Sequence, residues 1–120
     1  MPIQLQMEQM SGYLAARFTG AALPGEGSQR FEFIAEQCRR TKNDKLLIDT
    51  MGLAAKTSTV SRFLVGEKLG VFARCKIKVA FVSRPEQIDY QKFAMLVAQN
   101  RGVTVEAFTD FQAAEEWLLK

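Results

Sequence analysis

Hydroxyls and carboxylates are the side chains best placed to do chemistry in this chain, because its sequence contains no histidine. That absence removes the usual general base at neutral pH, the commonest metal ligand and every Ser-His or Cys-His nucleophile pair. The densest hydroxyl run is Thr57-Ser58-Thr59. At a helix N-terminus such a run offers capping oxygens, and the free backbone N–H groups beside it favour an anion or a phosphate. Glu115 and Glu116 are adjacent, and neighbours on a helix point in different directions, so they do not form a glycosidase pair. Asp49 and Asp110 alone are too few for the acidic cluster of a metal-binding phosphoacceptor. No phosphate-binding glycine motif occurs, and Gly20, Gly25 and Gly27 are spaced wrongly for one. Cys38 and Cys75 lack the close spacing of a metal pair and are expected to be reduced core thiols. The chain is therefore expected to work without cofactor or metal, and not as an enzyme.

These residues must be positioned by regular elements, and the hydrophobic pattern gives their order. Ile3, Leu5 and Met7 alternate with Gln4, Gln6 and Glu8, the period of a strand buried on one face, which suits a sheet edge. Met10-Ser11-Gly12 then makes a short turn into a strand over Tyr13 to Thr19, so the two form an antiparallel hairpin. Gly20 to Gly27 breaks regular structure. Ser28 can cap a helix carrying Phe31, Ile34 and Cys38, with Phe33 off that line, ending near Thr41 to Asn43. Lys45 to Thr50 holds Leu46, Leu47 and Ile48 in a row, the mark of a central strand covered on both faces. A second helix begins at Thr57 to Thr59, with Val60, Phe63, Leu64 and Phe72 on its buried side and Gly66 and Gly70 allowing close packing. Lys76 to Ser83 is a strand. Pro85 opens a third helix with Tyr90, Phe93, Ala94 and Val97 as its stripe, and Gly102 stops it. A strand over Val103 to Phe108 follows. Thr109 and Gln112 make a capping box for a last helix whose Ala114, Trp117 and Leu118 face inward.

The order β-β-α-β-α-β-α-β-α is that of an α/β fold with a mixed, mostly parallel five-stranded sheet and four helices. With 120 residues, the chain has the length of one unit, residues 1–120, with one buried core. Hydrophobic residues at 48% and charged residues at 24% place it with globular domains and away from disorder. No apolar run spans a bilayer and MPIQLQMEQM is not a signal peptide, so a cytoplasmic protein is expected. The net charge is +3, yet the basic residues are dispersed. The cluster Arg39, Arg40, Lys42, Lys45 falls at a helix C-terminus, where the dipole accounts for it. No nucleic acid is expected as a partner. In an open α/β sheet, ligands bind at the C-terminal ends of the strands. Asp49, Thr50, Ser83, Arg84, Thr109 and Asp110 gather there, next to Thr57, Ser58 and Thr59.

Residues 46–66, LLIDTMGLAAKTSTVSRFLVG, resemble the central signature of STAS domains, the anti-anti-sigma fold: an apolar strand ending in Asp, a Gly three residues later, then a hydroxyl-rich turn opening a helix. Asp49, Gly52, Ser58, Thr59, Leu64 and Gly66 fall into step with it. KVAFVSRPEQ at 78–87, NRGV at 100–103 and AFTDFQAAEEWL at 107–118 look like the SpoIIAA-like, SEC14-related branch, so the resemblance covers nearly the whole chain. It implies a regulatory, protein-interaction module with a protein partner at Asp49, Thr57, Ser58, Thr59, Ser83 and Arg84. In phosphorylated members of the wider family the turn reads Asp-Ser-Ser-Gly, with a serine as the acceptor. The matching Thr57-Ser58-Thr59-Val60 lacks the acidic residue and the glycine. The SEC14 comparison implies the alternative of a small apolar or lipid-like ligand, or a membrane surface, met by Phe63, Leu64, Leu69 and Phe72. The second helix is more apolar than one buried stripe requires, and packing on the sheet and on a second subunit of a homodimer would also use that surplus.

Overall fold

The computed structural model of the chain describes residues 3–22, 28–55 and 65–120. The alternating start of the sequence forms β1 (Gln4–Gln9), with Leu5 and Met7 half-buried and Gln4, Gln6 and Glu8 exposed. The Met10 N–H donates to the Tyr13 carbonyl at 2.8 Å and closes a two-residue turn. Its second residue, Gly12, has φ +91°, a conformation that only glycine takes freely. The chain returns as β2 (Leu14–Ala22), antiparallel to β1. A 3-10 turn at Ser28–Arg30 leads into α1 (Phe31–Arg40), and β3 (Lys45–Ala55) follows. Residues 65–68 are helical, and past Leu69 comes α2 (Gly70–Arg74). Then come β4 (Lys78–Val82), a 3-10 turn at Pro85–Gln87, α3 (Ile88–Gln99), β5 (Val105–Phe108) and α4 (Phe111–Leu118).

The strands lie in the order β1-β2-β3-β4-β5, and every pairing after the first is parallel. The expected sheet is thus present, with Leu46 to Ile48 and Val79 to Val82 inside it and β1 at its edge. Alternation splits each central strand between two cores. Leu46, Ile48, Val79 and Phe81 face α1, α2 and α3, where the Phe31 ring lies 5.7 Å from Phe72 and 6.4 Å from Phe81. Leu47, Ala80 and Val82 face α4, against Ala114 and Leu118. Each fully buried Leu or Phe contributes about 1.5–3 kcal/mol relative to exposure, so the three-helix face carries most of the apolar drive.

Several details depart from the sequence expectations. The strand β2 runs through Gly20 to Ala22 and β3 continues to Ala55, because the two keep pairing beyond Thr19 and Gly52. The helix α1 starts at Phe31 after the 3-10 turn, with no side-chain cap on its first turn. Asp110, not Thr109, caps α4, its carboxylate accepting from the Gln112 and Ala113 N–H groups at 3.3 and 3.2 Å. Phe93 is exposed, and the buried stripe of α3 is Ala94, Met95, Val97 and Ala98. Cys38 is buried but Cys75 is exposed, because Cys75 lies just past the end of α2. Val60, Phe63 and Leu64 lie outside the described residues, as does the Tyr90 side chain.

Three helices end in the same way. Asn43, Ile77 and Val103 donate their N–H groups back to Cys38, Phe72 and Ala98, and the residue before each, Lys42, Lys76 and Gly102, has positive φ. This is the Schellman termination, which satisfies the last carbonyls of a helix and turns the chain. Each leads within a few residues into the next parallel strand. Gly66 sits where the helical segment at 65–68 crosses α3. A Cβ there would stand 2.5 Å from both the Ala94 carbonyl oxygen and Val97 Cβ, so only glycine permits this approach.

Candidate functional site

Where β4 ends at Val82 and β3 runs on beyond its last pair with β4, at Asp49, a rim forms around an irregularity in the middle of β3. Arg17 pairs with Asp49 and Thr19 with Gly52, so Phe18 alone on β2 stands opposite both Thr50 and Met51. This is a β-bulge, which bends a strand and re-aims its side chains. The Asp49 carboxylate fixes it by accepting the Met51 N–H at 2.9 Å. Its other oxygen takes Arg17 Nε at 3.3 Å. With Arg17 42% exposed, that ion pair is worth at most about 1 kcal/mol. Asp49 is thereby committed to local structure.

Thr50 is buried, and its hydroxyl donates to the Val82 carbonyl at 3.0 Å and lies 3.3 Å from Ser83 Oγ. Ser83, fully buried, gives its N–H to the Phe108 carbonyl at 2.8 Å. The hydroxyls of Thr50 and Ser83 therefore tie the end of β4 to the middle of β3 and face inward. Arg84 reaches back over this join, its Nε donating to the Met51 carbonyl at 2.8 Å. Its remaining guanidinium nitrogens take no partner among the described residues. A guanidinium anchored through Nε presents its outer pair of nitrogens in a fixed plane, the geometry that suits a carboxylate or phosphate.

Of the sequence-selected residues, the structure brings Asp49, Thr50, Ser83 and Arg84 together. Thr57, Ser58, Thr59, Phe63 and Leu64 lie outside the described residues. Leu69 and Phe72 are fully buried in the core. Thr109 and Asp110 follow the end of β5, beside Ser83, and Asp110 is occupied as the cap of α4. Sequence reasoning missed Met51, whose carbonyl holds Arg84 and whose side chain is 40% exposed. Gly52 was the signal: a Cβ there would lie 2.9 Å from Thr19 Cγ2, and glycine inside a strand often marks a bulge. Among the described residues no group of three or more His, Cys, Asp or Glu side chains could hold a metal ion. No helix among them is long and apolar enough to cross a membrane.

No family model matches the sequence, and no curated protein matches it. Solved structures do. An uncharacterised protein of the DUF3478 family with a SpoIIAA-like fold, from Shewanella loihica PV-4, is 23% identical. The match covers 97% of this chain and 93% of that one, with a TM-score of 0.57. The fold is SpoIIAA-like. An anti-sigma factor antagonist from Mycobacterium paratuberculosis is 11% identical, with a TM-score of 0.65 over 99% of this chain and 96% of that one. The resemblance first seen in residues 46–66 therefore extends to the three-dimensional arrangement of the whole sheet.

Proposed function

We propose that this chain is a non-catalytic regulatory module that docks a protein partner on the rim where β4 ends beside the β3 bulge. One observation carries the reading: Arg84 is pinned by the Met51 carbonyl at 2.8 Å beside the bulge, and its other guanidinium nitrogens take no partner among the described residues. A rim that pins an arginine in this way is prepared for a carboxylate or phosphate of a partner. Fold similarity to an anti-sigma factor antagonist supports a binding role, although fold alone does not fix function. Thr57, Ser58 and Thr59 would extend the same surface, and a phosphate placed on Ser58 or Thr59 would change docking through charge.

Partner capture from the native cell tests this. Arg84→Ala, Ser58→Asp and Thr59→Asp should each weaken retention of the captured protein. Equal retention by all three variants would sink the proposal. In labelled protein, phosphate should move the amide signals of residues 58–61 and of Arg84. Shifts confined to residues 39–45 would put the anion at the opposite edge.

The alternative, an apolar or lipid-like ligand, rests on a different observation. Phe93 and Leu96 on α3 are 37% and 55% exposed, more apolar surface than an isolated helix face needs. With Leu69 and Phe72 enclosed, such a ligand would lie on the outside of α3 or displace the helix. Native mass spectrometry finding only the bare chain, with no thermal shift across a lipid panel, would remove this reading.

A further inference from the structure

We propose that the outer edge of β1 pairs with the same edge of a second copy of this chain, forming a two-fold dimer with one continuous sheet. The hydrogen-bond phase of the hairpin sets which backbone groups are open. Met10 and Tyr13 form a bonded pair at the turn. In an antiparallel ladder, bonded and non-bonded pairs alternate. Following the register of β1 on β2, Glu8, Gln6 and Gln4 turn their backbone groups to β2, while Gln9, Met7 and Leu5 turn theirs outward.

The two edges of the sheet are treated differently. At β5 the pairing with β4, in which Thr104 and Phe108 give their carbonyls to Val79 and Ser83, leaves Val105 and Ala107 facing out. The Gln99 side chain takes the Val105 carbonyl at 2.9 Å, and Glu106 Oε1 lies 3.4 Å from the Ala107 N–H. The chain thus covers its own β5 edge. On β1, the outward groups of Leu5 and Met7 take no partner among the described residues. The strand also has no lysine, no proline and no bulge, the devices by which proteins blunt an exposed edge.

The occupant that fits is a second copy, because β1 is complementary to itself in one register. With the axis at Gln6, Leu5 faces Met7 of the second copy and exchanges both backbone bonds with it, and the symmetric pair does the same. Four hydrogen bonds follow, all from groups that already point outward. The half-buried Leu5 and Met7 side chains meet their counterparts on the helix-covered face. Gln6 meets Gln6 on the other face, and Glu8 meets Gln4, so no like charges are opposed. The axis is perpendicular to the sheet, so the two rims beside the ends of β4 point in opposite directions and stay open.

Light scattering across a concentration series, with cysteine variants in a Cys75→Ser background, tests this. At a non-bonded antiparallel pair the Cα atoms lie about 4.5 Å apart, within reach of a disulfide. The mass should climb from 13.5 kDa toward twice that value. Gln6→Cys should cross-link to itself under a mild disulfide oxidant at least tenfold faster than Gln4→Cys, which faces Glu8 instead. Gln4 and Gln6 are exposed, so both variants keep the fold. A mass that stays at one chain up to the solubility limit overturns the proposal. So does a dimer in which Gln4→Cys cross-links as fast as Gln6→Cys. A chain that remains monomeric while taking up an extended peptide on β1 would assign the edge to a foreign strand and overturn the self-pairing.

Discussion

Thr50 is the residue whose loss the rim should feel most. Replacing it with valine keeps the shape but strips the hydroxyl from the Val82 carbonyl and from Ser83 Oγ. Thr50→Val should cost about 1–2 kcal/mol, read from the urea midpoint, and Thr50→Ser should recover part of it. Arg84→Ala should leave the same midpoint within about 0.5 kcal/mol, as for an ordinary surface change, so any effect on partner retention belongs to binding. Alkaline pH tests two buried groups. Burial, together with the neighbouring Cys75, pushes the Cys38 thiol up to about 12. Burial and the 2.6 Å hydrogen bond to Glu115 raise the Tyr13 phenol above its ordinary value. In both cases the folded state keeps a proton that the unfolded chain releases. Stability is therefore full below about pH 9 and falls as pH rises through the thiol and then the phenol ranges. The slope for each group is about 1.4 kcal/mol per pH unit. Denaturant midpoints between pH 8 and 11 should decline, and Tyr13→Phe should flatten the part above about pH 10. At this scale the gathering of Asp49, Ser83 and Arg84 was legible, because polar residues beside the end of a parallel strand collect at one rim, whereas the course of β3 beyond Asp49 was not. The role of Met51 was not, since a bulge changes register without changing composition.

Elements are joined here by close approach and by tight terminations. Gly66→Ala would drive a methyl into the Ala94 carbonyl and Val97, and parting the helices should cost on the order of 1–3 kcal/mol, visible in thermal unfolding. The helix ends make a paired prediction. Gly102→Ala places a side chain at φ +86° and should destabilise by about 1 kcal/mol, whereas Lys76→Gly relieves φ +56° and should stabilise by up to about 1 kcal/mol. Opposite signs in the two melting curves are required. Gly102 was readable as a stop because glycine favours the left-handed region. Lys42 and Lys76 were not, since lysine takes it only when the following strand dictates the path. Similarly, α3 buries the small Ala94 and Ala98 against the sheet and leaves Phe93 outside, an inversion that a hydrophobicity count cannot reveal. The capping of α4 by Asp110 rather than Thr109 moves its start by one residue, within the usual uncertainty of element ends.

Among the described residues the two faces of the sheet are covered unequally, α1, α2, α3 and the segment at 65–68 on one and α4 on the other, so α4 docks without a helical neighbour among them. The sheet type and which strands lie inside it could be read from the sequence because the apolar runs of β3 and β4 require cover on both sides, and the alternation of β1 forbids it. What could not be read was which residues of the second face α4 would cover, since that depends on where the helix lies. The only tryptophan of the chain sits on α4. Trp117 is half-buried, so Trp117→Ala should cost about 2 kcal/mol, below the roughly 3–5 of an enclosed site. Its ring lies 5.7 Å from Phe108, and the Lys78 ammonium stands 4.5 Å above it while donating to its carbonyl at 2.8 Å. The indole is thus a natural optical reporter for one event. Undocking of α4 would carry it from beside a phenyl ring into water and shift its emission to the red, while events on the far face would leave the spectrum unmoved. Loss of the near-native emission before loss of backbone ellipticity on heating would show α4 departing ahead of the sheet, and coincident curves would show the two faces melting as one.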